Sequence, residues 1–172
     1  EPSPGANAIL RSYGLEILPG LIMENDKRRY AVNQYFIAPF LLEHEILEPL
    51  KENDLNLITP IAVALQELER KPRSIELTPL LASSDQSWRR LDTTSDSALQ
   101  LESDVLGPYT IAWAVERQQY NDDEPEAFRL VAMGNSQFLG QIPPYGQIKG
   151  NIDYFLNSLA WLNERSETIT IR

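Results

Sequence analysis

What this chain can fold into is bounded first by the spacing of its apolar residues. They come in short runs, each cut by proline, glycine or a charged cluster. Leu21-Ile22-Met23-Glu24 is followed by Asn25-Asp26-Lys27-Arg28-Arg29, and 74–81 follows Glu69-Arg70-Lys71-Pro72-Arg73. The run 109–115 follows Gly107-Pro108, and 127–133 follows the polar turn 121–126. Such runs suit buried strands, and they fall far short of the ~20 apolar residues of a membrane-spanning helix. Residues 15–17, 30–37 and the start of 61–68 are further extended candidates. A final edge strand is expected over 168–172, with Ile169 and Ile171 inward.

Helical spacing is rarer. Ile9, Leu10 and Tyr13 share a face in 6–13, and Gly14 stands where a glycine would end that helix. Ile46, Leu47 and Leu50 share a face in 44–51, where Pro49 demands a late helix start. The strongest helix spans 151–163, with Ile152, Phe155, Leu156, Leu159 and Leu162 as its expected core face. Asn151 is its expected N-cap. Strands and helices are interleaved without an internal repeat. This predicts one α/β domain over 1–172, a mixed sheet flanked by helices. The start at Glu1-Pro2-Ser3-Pro4-Gly5 reads as that of a piece excised from a larger protein.

Composition narrows the chemistry. The 172 residues carry a net charge of −10, which disfavours nucleic acid and anionic lipid as partners. With no cysteine and one histidine, His44, thiol catalysis, disulfides and transition-metal sites are not expected. The acids Asp122, Asp123, Glu124 and Glu126 lack the glycine and spacing of a calcium loop, so no metal site and no cofactor are expected.

The polar loop 82–88 follows a strand and contains Ser83, Ser84, Ser87 and Trp88. A serine hydrolase would have to join Ser83 or Ser84 to His44, and no G-x-S-x-G elbow is present. Trp88 is read as partly exposed and suited to a partner contact, whereas Trp113 and Trp161 are read as core. Gly134-Asn135-Ser136 follows a strand at the place where α/β sheets hold ligands. Gly150-Asn151, at a helix start, is a weaker anion candidate. The contact residues expected are therefore Ser83, Ser84, Trp88, Asn135 and Ser136, with no catalytic set.

Five segments, in order, resemble one family. LRSYGL at 10–15 is similar to its L-x-x-Y-G-hydrophobic segment. Leu80-Leu81-Ala82-Ser83-Ser84 with Ser87-Trp88 resembles LL-x-T/S-S-x-x-S-W. Gly107-Pro108 with the strand after it resembles a G-P lead-in to hydrophobic-A-hydrophobic-E. RLVAMGNSQF at 129–138 resembles R-V-V-V-x-G-D-S-D-F. GNIDYFLNSLAWL at 150–162 resembles G-N-x-D-hydrophobic-hydrophobic-L-N-x-hydrophobic-x-W-L, and Ile169-Thr170-Ile171-Arg172 also fits.

The family is the auxiliary group of ABC-type transport systems, which includes gliding-motility-associated components. The resemblance implies a periplasmic domain of a bacterial protein anchored in the inner membrane, acting with an ABC permease and ATPase. It implies a fold akin to the class I glutamine amidotransferase-like (flavodoxin-like) sandwich, or a truncated part of it. No amidotransferase activity follows, because the required cysteine is absent. Asn135 and Gln137 stand where the family often has aspartates, which weakens a polar-ligand role for that loop. The chain would begin part-way through the family's domain, exposing a sheet edge through which a homodimer would form. The leading expectation is a non-catalytic accessory domain. The alternatives are a module binding a sugar or peptide and, behind it, a cryptic hydrolase.

Overall fold

The short apolar runs are buried by antiparallel pairing. A computed structural model describes residues 3–121 and 124–163. In chain order its elements are α1 (Pro4–Ser12), β1 (Leu15–Ile17), β2 (Leu21–Met23), β3 (Phe36–Ile37), β4 (Phe40–Leu41), α2 (Glu48–Glu52), β5 (Thr59–Pro60) and β6 (Leu65–Glu67). There follow β7 (Ile75–Ala82), β8 (Trp88–Arg90), β9 (Val105–Leu106), β10 (Thr110–Asn121), β11 (Glu124–Met133) and α3 (Lys149–Asn163). This is a mixed α/β domain with several small sheets and few helices. The sheet orders are β11-β10-β7-β4, β2-β8-β9, β1-β6 and β3-β5.

Every strand pair among the described residues is antiparallel. A flavodoxin-like sandwich rests instead on parallel strands, each needing a crossover of a dozen or more residues. Here β10 turns directly back into β11, with Asn121 opposite Glu124. The expected mixed sheet is thus replaced by antiparallel ones. Pro79 lies inside β7, opposite Trp113, where a proline withholds a ladder donor, and the β7–β10 register shifts beside it.

The two faces of β10 feed two cores. Ala112 and Ala114 pack with Leu80, Leu81, Ile46, Leu50, Tyr154 and Trp161. Trp113 and Val115 pack with Leu15, Leu65 and Ile75. The Trp113 indole N–H is satisfied by the Leu65 carbonyl at 3.0 Å. The alternation of a strand therefore places Trp113 and Trp161 in separate cores.

Several expectations change. The stretch 30–37 is mostly turn and bend, with only Phe36–Ile37 in a strand. Residues 61–64 stay outside a strand, and Ile61 adopts a positive φ of 55°. Helix α2 starts at Glu48, so Pro49 falls in its first turn, where the missing N–H costs nothing. Asn151 is not an N-cap, because α3 begins at Lys149.

The buried face of α3 is made by Gly150, Asn151, Tyr154, Ser158 and Trp161. Phe155, Leu156, Leu159 and Leu162 are exposed. Periodicity detects an apolar face but does not say which of two apolar faces turns inward. Here the bulk of Tyr154 and Trp161 and the close approach at Gly150 decide it. The strand expected at 168–172 and the acid cluster's Asp122 and Asp123 lie outside the described residues.

Candidate functional site

The serines of the 83–87 loop are held in a buried hydrogen-bond network with Glu24 and Tyr109. The Ser84 hydroxyl donates to Glu24 Oε1 at 2.6 Å and the Ser84 amide to Oε2 at 2.9 Å. Glu24 also accepts the amides of Asn25 and Asp26, each at 2.9 Å. This carboxylate is fully buried, and four donors replace its lost hydration. Ser83 Oγ accepts the Tyr109 amide at 2.9 Å and shares a 2.7 Å hydrogen bond with Ser87 Oγ. Ser87 in turn donates to the Ser84 carbonyl. Trp88 is not a loop residue: it opens β8 and is 3% exposed.

Replacing Glu24 by glutamine turns one acceptor into a donor that faces N–H or O–H groups. The expected loss is about 1–3 kcal/mol of stability, read as a lower urea midpoint with an unchanged slope. An unchanged midpoint would mean that Glu24 is not the acceptor described here.

Two Gly-Asn pairs clasp one stretch of backbone, 56–63. Gly134 donates to the Ile111 carbonyl and accepts the Val63 amide. A Cβ on it would sit 2.1 Å from the Val63 oxygen. Asn135 Nδ2 donates to the Pro60 carbonyl, and its Oδ1 accepts the Gln137 amide at 2.7 Å. A Cβ on Gly150 would sit 2.1 Å from the Asn56 oxygen. Buried Asn151 takes the Ile58 amide at 2.9 Å and donates to the carbonyls of Ile58 at 2.8 Å and Phe138 at 2.5 Å. Both glycines serve close backbone approach, and both asparagines read the edge of an irregular strand.

The five expected contact residues are not brought to one surface. Ser83, Ser84 and Trp88 are buried, Asn135 is half-buried and holds Pro60, and Ser136 faces solvent. His44 sits elsewhere. Its Nδ1 accepts the Ile46 amide at 3.2 Å, and its ring meets Trp161 edge-on at 5.2 Å. Burial lowers the His44 pKa, while the nearby Glu45 charge works against that. The hydroxyls of Ser83 and Ser84 are engaged with Ser87, Tyr109 and Glu24 rather than with His44.

The surface that stands out is the one beside α3, and sequence reasoning assigned it to the core. Phe155, Leu156, Leu159 and Leu162 are 37%, 54%, 39% and 37% exposed. Leu139 and Tyr145 on the preceding loop are also exposed, and Phe138 contacts Phe155 edge-on. The only charged residues on this helix are Lys149 and Asp153. On the α2 side lies a cleft of about 170 Å³ lined by Glu45, Ile46, Pro49, Asn157, Ala160 and Trp161. Asn157 holds its wall by donating to the Ile46 carbonyl at 3.1 Å. A helix apolar on two sides usually has both covered. Scattered apolar residues are ordinary on a surface, but a contiguous stripe marks an interaction site.

In comparisons with known proteins, no family model, no curated protein and no solved structure matches this chain.

Proposed function

We propose that this chain is a non-catalytic, extracytoplasmic accessory domain of an ABC-type transport system, and that it docks a membrane subunit through the exposed face of α3. The observation that carries the docking role is the apolar stripe Phe155, Leu156, Leu159 and Leu162 on a helix whose other face is already buried. The transporter assignment is supported by the ordered resemblance of five segments, of which 150–162 is the most specific. Among the described residues no helix is long and apolar enough to cross a membrane. Anchoring in the inner membrane is proposed on the resemblance alone. Antiparallel pairing weighs against the amidotransferase-like sandwich, so the proposal keeps the accessory role without that fold. Of the residues on which a sugar- or peptide-binding pocket would rest, Ser83, Ser84 and Trp88 are buried, which weighs against that alternative.

The test is a photo-crosslinking amino acid at Leu156 in the parent protein, produced with its permease and ATPase. The same label at Ile9, which is 63% exposed on α1, serves as control. An adduct with a transporter subunit from position 156 and none from position 9 is expected. No subunit adduct from 156 would remove the accessory reading.

A further inference from the structure

We infer that the α2–α3 face receives a basic amphipathic helix of its partner, with one apolar side chain seated in the cleft beside Trp161. The inference rests on the accessory-domain reading and specifies the partner's chemistry. Three observations carry it. First, the exposed surface is a helix ridge beside a cleft, which is the shape that accepts another helix. Leu156 and Ala160 are one turn apart, so they join the stripe to the cleft. Second, the inner wall is apolar, formed by Ile46, Pro49, Ala160 and Trp161, and Trp161 is only 2% exposed.

Third, the α2 rim is acidic. Glu45 and Glu48 are exposed there, while Lys51 is engaged with Glu43 at 2.7 Å. An apolar strip with acids along one side complements a helix bearing leucine-like residues on one face and Lys or Arg on its flank. A second copy of this chain complements it poorly, since it brings another body of net charge −10. An anionic lipid surface is disfavoured by the same rim.

The test uses two synthetic helical peptides with one shared leucine pattern, one with lysine and one with glutamate on the polar face. Fluorescence anisotropy is measured against the 172-residue chain. The lysine peptide is expected to bind, several-fold more weakly at high salt, and the glutamate peptide is not. Glu45→Lys with Glu48→Lys should weaken the lysine peptide by roughly tenfold and admit the glutamate peptide. Ala160→Trp fills the cleft and leaves the rim intact, and it should also weaken the lysine peptide by roughly tenfold. Circular dichroism checks that each variant is folded.

Equal binding of the two peptides, no binding of either, or full affinity in Ala160→Trp overturns the inference. So does a dimer in sedimentation that Leu156→Glu dissolves, because the face would then belong to a second copy. The crosslinking experiment separates the two ideas. An adduct at a subunit segment without basic residues overturns this inference and leaves the accessory role standing. No subunit adduct removes the accessory role, whatever the peptides do.

Discussion

Replacing Arg90 with alanine is expected to cost about 3–5 kcal/mol of folding stability, a large share of the ~5–15 kcal/mol typical of a domain. Arg90 and the Asp104 side chain are both fully buried. Arg90 Nε donates to both carboxylate oxygens, at 3.0 and 2.9 Å. Its two terminal nitrogens donate to the carbonyls of Ser97 at 2.8 Å and Leu99 at 2.7 Å. Asp104 Oδ2 also accepts the Leu101 amide at 2.8 Å. One guanidinium thus closes the loop 91–104 onto β8. Alanine would leave a buried carboxylate with no cation and two carbonyls without their donors.

Urea unfolding measures the loss, and thermolysin cleavage within 91–104 reports the loosened loop. Replacing both partners with apolar residues should recover part of the loss, since the greater cost is the stranded charge. A loss below about 1 kcal/mol for the single variant would show that Asp104 reaches water, contrary to its burial.

The second large effect is expected at Asn151. Asn151→Leu keeps the volume near constant and removes all three hydrogen bonds to Ile58 and Phe138. The orphaned amide and carbonyls are part-buried, so the expected loss is about 2–4 kcal/mol. Asn163→Ala is the comparison. Its amide bonds the Leu159 carbonyl at an exposed helix end, and the change should stay within about 0.5 kcal/mol. Equal effects at the two positions would mean that Asn151 acts only through local helix propensity, and not as a clasp on the 56–63 backbone.

The buried charges were only partly legible. Glu24 follows Leu21-Ile22-Met23 directly, and that run marks its neighbourhood as interior. Arg90 lies two residues after Trp88, and the two share a strand face once β8 is known to be a strand. The partner acids and serines are 14 and 60 residues away in the chain, and no spacing rule connects them. The serines of 83–87 looked like a ligand loop because hydroxyl groups at a strand end serve ligand binding and self-closure alike. Which of the two occurs depends on whether an acceptor such as Glu24 arrives from another strand.

What the sequence by itself determined was local. It placed strands near 74–81, 109–115 and 127–133 and the helix over 151–163, because propensity, turn chemistry and periodicity act over a few residues, but β10 and β11 run into the turn expected at 121–126. The tertiary structure alone decided the long-range matters. Antiparallel pairing of β10 with both neighbours, the Gly-Asn clasps on 56–63 and the outward turn of the α3 leucines each depend on contacts between distant segments. For α3 the reason is volume: Tyr154 and Trp161 fill the space beneath the helix, and the second apolar face is left exposed.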